Sequence, residues 1–183
     1  GGSSPILKLT TEQAAALELK LNKDDNLSDY KCFVVMRCWH PRAANVVKEV
    51  INYNPNEIIL MPLYPQYSAA TSGSSIKEWN DICKKNKFEV KTSTICCYPI
   101  DPNFVEAHKK EIIKKIENLE NFKLIFSAHG LPEKNIKKGD PYQWQVEQSV
   151  NKIVESLGIK DLDWILSYQS RVGPLKWIGP STE

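Results

Sequence analysis

The sequence predicts an α/β fold in which parallel strands are flanked by helices. Three observations carry that expectation. Runs rich in β-branched and aromatic residues alternate with stretches whose apolar residues recur at three- and four-residue spacing. The strand-like runs are apolar nearly throughout, as strands covered on both faces by helices are. Helix-start signals stand at several of the boundaries between the two kinds of segment.

In chain order, a helix is expected over Thr11–Leu21, opened by Thr10 and Gln13 as a capping box. A strand over Tyr30–Arg37 and a helix over Arg42–Tyr53 follow. Strand Glu57–Tyr64 precedes helix Ser74–Asn86, and strand Val90–Cys97 precedes helix Asn103–Leu119. Asp101-Pro102 supplies that last helix with a cap and a first-turn proline. Strand Lys123–Ala128 leads to helix Tyr142–Leu157, opened in the same way by Asp140-Pro141, and Asp163–Tyr168 is the final strand. No segment repeats and none is of low complexity.

Composition narrows the function classes. A chain of 183 residues accommodates one domain or pieces of two, and needs no disulfide or structural metal to make a core. Its 24 basic and 22 acidic residues leave a formal charge of +2 with both signs interspersed, which is no electrostatic footprint for nucleic acid. The longest apolar stretches, Cys32–Met36 and Ile58–Tyr64, are far too short to span a bilayer, and no signal peptide is recognisable. Five cysteines without a CxxC pair read as reduced thiols, which points to the cytoplasm. The chain opens Gly1-Gly2-Ser3-Ser4-Pro5 and stops soon after Gly179-Pro180, so both ends read as cut.

Open parallel sheets bind ligands at the carboxyl ends of their strands. The segments to weigh are therefore Cys38–Pro41, Pro65–Ser68, Tyr98-Pro99, His129–Pro132 and Gln169–Arg171. None forms a dinucleotide or P-loop motif. His129 follows the buried-type run Leu124–Ala128 and precedes Gly130-Leu131-Pro132, which turns the chain away. An imidazole there can take a proton or a metal ion, or it can simply be hydrogen-bonded in a loop. His40, between Trp39 and Pro41, reads as a helix-entry residue or a ligand. His108 shares a helix face with Phe104, Ile112 and Ile116, which reads as a core boundary. Ser68–Ser75 is a hydroxyl-rich loop entering a helix, suited either to gripping a carboxylate or to plain capping. Tyr64, Tyr67, Tyr98, Tyr168 and Trp39 supply flat surface near strand ends, as core or as walls for a flat ligand. Cys96 and Cys97 are expected to alternate in and out on one strand and to make a poor metal site.

Taken together these blocks resemble ferrochelatase. Its signature is matched by Ile125–Pro132 with Gly139-Asp140-Pro141-Tyr142. Met36-Arg37 with Trp39-His40-Pro41, Leu63–Ser68 with Gly73-Ser74-Ser75, and Tyr168–Pro174 with Trp177 and Gly179-Pro180 agree in order. The resemblance runs over nearly the whole chain and is to the bacterial protoporphyrin-type enzymes. It implies a chelatase-like fold of two Rossmann-like lobes, parallel sheets flanked by helices, with both lobes incomplete here. Residues 1–97 are then the later part of the first lobe, and 98–183 the beginning of the second.

The resemblance also implies insertion of Fe²⁺ into protoporphyrin IX to form protohaem, with iron as substrate and no organic cofactor. His129 matches the family's motif histidine, as catalytic proton acceptor or metal ligand. Arg37, Tyr64, Tyr67 and the Ser72–Ser75 region, Ser74 among them, match positions near the porphyrin or its propionates. Cys38 stands where many relatives have Tyr. Ala69 stands where some eukaryotic relatives carry a [2Fe–2S] ligand, so no cluster is expected. The glutamate that the family pairs with this histidine falls in a segment beyond these residues, so the isolated chain is expected to be poorly soluble and to form no haem. The competing reading is a non-catalytic porphyrin- or metal-binding module, which a natural stop at Glu183 would favour. The resemblance is compatible with peripheral membrane association, with protoporphyrin IX and ferrous iron as the partners.

Overall fold

The computed structural model describes residues 2 and 4–182. The chain divides into two compact units, Gly1–Ile59 with Ser74–Ser93, and Leu60–Gly73 with Thr94–Glu183.

In the first unit, α1 spans Ile6–Asp24, α2 Ala43–Tyr53 and α3 Ser74–Lys85; β1 (Glu57–Leu60) and β2 (Lys91–Thr94), which lie in it but for their last residues, pair with each other. Ala43, Val46, Val47 and Val50 recur at helical spacing and form the buried face of α2. That face packs α2 against α3, whose buried residue is Trp79. Asn54 ends α2 in the left-handed region (φ 55°), with its N–H on the Val50 and Ile51 carbonyls.

Two sequence expectations fail in this unit. The capping box does not form, because α1 starts at Ile6 and Thr10 lies inside it. The apolar spacing continues upstream through Ile6, Leu7 and Leu9, and the Thr11 hydroxyl bonds back to the Leu7 carbonyl. Residues 30–35 form no strand, although their composition suits one. The Tyr30 N–H and carbonyl are taken by the Asn22 side chain, and the Cys32 N–H donates to Glu18. With those groups on α1, no ladder is built, and only a single bridge joins Met36 to Arg42. These bonds also hold the Glu18 carboxyl below its usual range, led by the Cys32 N–H and then Lys31.

β1 and β2 stop earlier than the sequence suggests, at Leu60 and Thr94. Pro62 and Pro65 remove donors from the continuation of β1, and past the ladder the Tyr98 N–H meets the Pro65 carbonyl at 2.8 Å.

In the second unit, α4 (Pro102–Ile116) starts as expected, with the Asp101 carboxylate accepting from the Asn103 and Phe104 N–H groups. β3 (Leu124–His129) and β4 (Trp164–Gln169) pair in parallel, Leu124 opposite Trp164 through His129 opposite Gln169. Between them lie α5 (Glu133–Lys137) and α6 (Tyr142–Leu157), the latter with the limits read from the sequence. Gly158 closes α6 at φ 65°, a conformation glycine adopts without strain. Alternate strand residues face α6: Phe126, Ala128, Leu166 and Tyr168 join Leu131, Val146, Val150 and Ile178 in the core. α4 packs on α6. The architecture is thus mixed α/β, with two small two-stranded sheets flanked by helices.

Candidate functional site

His129 is the last residue of β3, and pleating places it on the sheet face opposite α6. The residue is exposed, and among the described residues its ring has no hydrogen-bond partner. Its backbone is held more firmly than its side chain. The Tyr142 hydroxyl meets the His129 backbone, and the Gly130 N–H donates to the Gln169 carbonyl at 2.8 Å. Burial raises the Tyr142 hydroxyl above its usual range, against the lowering effect of that backbone bond.

Gly130 cannot be larger without movement, since a Cβ would stand 3.0 Å from the Gln169 carbonyl and 3.4 Å from the Trp177 ring. Beyond it, bonds from Ile178 N–H to Leu131 O and from Glu133 N–H to Lys176 O fasten the exit of the loop. The nearest carboxylate in sequence, Glu133, is engaged by Lys176 at 3.2 Å and Lys137 at 3.5 Å. Burial pushes its carboxyl up, but the two lysines outweigh this and hold it below the usual range.

The segment after β1 is organised by α6. The Tyr67 N–H donates to Gln145 Oε1 at 2.7 Å. The Ser68 hydroxyl and the Ala69 N–H both donate to Asp140 Oδ2, at 2.8 and 2.9 Å. The other Asp140 oxygen accepts the Tyr142 N–H at 3.1 Å, so the expected cap bond exists and shares its carboxylate with the loop.

Ala69–Gly73 forms a π-helical turn, closed by the Gly73 N–H on the Ser68 carbonyl at 3.0 Å. Such turns are concentrated at functional sites. Tyr67 lies across Gly73, where a Cβ would come within 2.5 Å of the Tyr67 hydroxyl. The Ser72 hydroxyl is fully buried without a partner, and Tyr64 is exposed.

Arg37 and Ser74 belong to the first unit. Arg37 is exposed and lies 3.7 Å from Glu78, a carboxylate that also binds Arg42. Ser74 is the first residue of α3. Trp39 and His40 are both exposed and meet edge to face, their centroids 5.9 Å apart.

His108 is not at a core boundary. It is exposed, tilted over Phe104 at 4.4 Å, with Nδ1 on the Phe104 carbonyl, because only Val105 of α4 is buried. Cys96 and Cys97 do not alternate on a strand, since β2 ends at Thr94. Their sulfurs approach to 2.8 Å, and the contact with Cys97 raises the Cys96 thiol. Among the described residues no group of three or more His, Cys, Asp or Glu could hold a metal ion, and no helix is long and apolar enough to cross a membrane.

Gln145 and Ser149 are the residues that sequence reading passed over. Both are buried, and the visible sign was a polar pair at i, i+4 beside the apolar positions Val146, Val150 and Ile153 of the same helix.

Comparison with known proteins places the whole chain in one group of relatives. The family model described as Ferrochelatase matches residues 1–183. The chain is 78% identical to the ferrochelatase of Pelagibacter ubique strain HTCC1062 over all 183 residues, which are 53% of that relative. It is 46% identical to that of Rickettsia typhi, covering 52%, and 48% identical to that of the Wolbachia strain wRi, covering 59%. In each case the whole of this chain is matched. The chain spans about half the length of these curated relatives.

Proposed function

The chain belongs to the ferrochelatase family, and from that membership we propose that it supplies part of the machinery that inserts ferrous iron into protoporphyrin IX to give protohaem. Metallation must remove two pyrrole protons and bring nitrogen lone pairs to the incoming ion. The observation that carries the reading is the exposed, unpartnered His129 ring on a tightly fixed backbone at the carboxyl end of β3. A neutral imidazole so held accepts a pyrrole proton or ligates the iron on its way in. The fixed backbone sets where the ring can reach, and its unpartnered nitrogens stay available to a proton or an ion.

Tyr64 and Tyr67 offer flat aromatic surface to the macrocycle, and Arg37 and Ser74 offer a cation and a hydroxyl to its propionates. Arg37 must then exchange or share Glu78 when it engages a carboxylate. Iron enters as substrate, no organic cofactor or [2Fe–2S] cluster takes part, and the setting is the cytoplasm. Residues 1–97 are read as the later part of one lobe and 98–183 as the beginning of the other.

The test grafts residues 1–183 in place of the matching half of the Pelagibacter relative, and measures anaerobic haem formation from Fe²⁺ and protoporphyrin beside the isolated chain. The graft is expected to turn over and its His129→Ala variant to be silent. A silent graft that folds, or an active His129→Ala graft, overturns the reading.

A further inference from the structure

The first turns of α6 place polar side chains in a seam that is otherwise apolar. Gln145 and Ser149 are buried beside Val146 and Val150, where an unpaired amide or hydroxyl is costly. Neither is paired across a strand ladder. Gln145 Oε1 takes the Tyr67 N–H, and Ser149 Oγ accepts from Gln66 Nε2 at 2.8 Å while donating to the Pro99 carbonyl at 2.7 Å.

The orientation of the Gln145 amide is itself determined, because its Nε2 faces Cys97 Sγ at 3.5 Å and leaves the oxygen for Tyr67. One residue further along the loop, Asp140 holds the Ser68 hydroxyl and the Ala69 N–H. Four successive residues, Gln66 to Ala69, therefore have a donor fixed by α6 or its cap. β1 has already ended, and among the described residues Gln145 is the hydrogen-bond partner of the Tyr67 N–H. The ring of that residue rests on Gly73 with no space for a side chain beneath it.

We infer that Gln145 is a positioning residue, fixing the peptide of Tyr67 so that its ring is presented in one orientation to the tetrapyrrole. The inference rests on the function proposed above. Replacing the amide by an apolar side chain of similar volume strands the Tyr67 N–H, and rotation of that peptide swings the ring off Gly73. A carboxylate at the same place keeps the acceptor and loses only the donor to Cys97. The consequence is specific to the flat substrate, since the ring presents surface to the macrocycle and makes no bond to iron.

The experiment compares Gln145→Leu and Gln145→Glu in the intact gene product, reading hydrogen exchange at the Tyr67 amide together with steady-state kinetics. In Gln145→Leu the amide is expected to exchange faster, and KM for protoporphyrin to rise roughly tenfold while kcat and KM for Fe²⁺ stay within about twofold. Gln145→Glu is expected to restore both readouts. Faster exchange with an unchanged porphyrin KM reduces Gln145 to a structural fastening and overturns the inference, as does unchanged exchange. An unmutated protein that protects the Tyr67 amide yet neither binds nor metallates porphyrin overturns the functional reading. The inference falls with it, and the intact protection identifies which of the two failed.

Discussion

The two faces of the β3–β4 pair are built from alternate residues of the same two strands, and they differ except where Thr182 covers Ser127 and Ser167 on the outer one. Under α6, Tyr168 is 1% exposed, and Phe126, Ala128 and Leu166 pack with it against helix and loop. On the reverse face Ile125 is 58% and Ile165 39% exposed, and the row ends on the open ring of His129. Residues one position apart therefore serve different ends. Cohesion of this unit is carried by one face and its candidate chemistry by the other, so each can be perturbed with little effect on the other.

The largest expected effect breaks the chemical face alone. His129→Ala in the graft should lower haem formation by about 10²–10⁴-fold, the contribution of a positioned acid–base group. Its melting temperature should not move, because the ring is exposed and has no hydrogen-bond partner among the described residues. A fall in stability that matched the fall in rate would erase the distinction between the faces.

Next come two truncations measured by denaturant unfolding. Ile178→Ala, in the core under α6, should cost about 2–5 kcal/mol. Ile125→Ala, on the open face, should stay within about 0.5 kcal/mol. Equal costs would mean that the open face is covered in solution. Asp140→Ala should fall between them, at about 0.5–2 kcal/mol for the lost cap, with faster amide exchange at Ala69 as its second signature.

The smallest effect concerns alkaline pH. Burial, then Glu147 and Tyr142, push the Tyr168 hydroxyl far above its ordinary value of about 10. The unfolded chain releases that proton first, so the stability linked to it is full below about pH 10 and falls as pH rises beyond. Tyr168 Oη is also buried without a partner, so Tyr168→Phe should flatten the alkaline decline at no loss near neutrality. A steeper decline in the variant would contradict this sign.

Much of the second unit was legible in the chain itself. The run Leu124–Ala128, the proline-marked start of α4 and the three- and four-residue spacing of α6 are local signals, and the structure follows each of them. The first unit was less legible for a physical reason. Tyr30–Arg37 has strand composition, but a strand exists only through its neighbour, and Asn22 and Glu18 of α1 take the backbone groups that would have made the ladder.

The candidate site divides in the same way. That His129 stands at a strand's carboxyl end could be read from the apolar run before it and the Gly130–Pro132 turn after it, although β3 runs one residue further than the composition suggests and includes it. Gln145 could not be identified so, because its partner lies 78 residues away and no local pattern announces a side chain facing a distant peptide. Tyr67 shows both kinds of signal. The aromatic residue is visible in sequence, whereas the glycine beneath it and the amide behind it become meaningful only in three dimensions.

The parallel register of β3 and β4 also limits how this region can change in length. Ala128 stands opposite Tyr168 and His129 opposite Gln169, so inward and outward positions alternate with no slack between them. A single residue inserted or deleted within Leu124–His129 would exchange the two rows. The imidazole would then point beneath α6, in an apolar setting that resists its protonation, and Ser127 would enter the core while Phe126 left it. Substitutions can accumulate in this strand one at a time, but gaps cannot. Among homologues, insertions and deletions around the histidine should therefore fall outside these six residues, beyond either end of the strand.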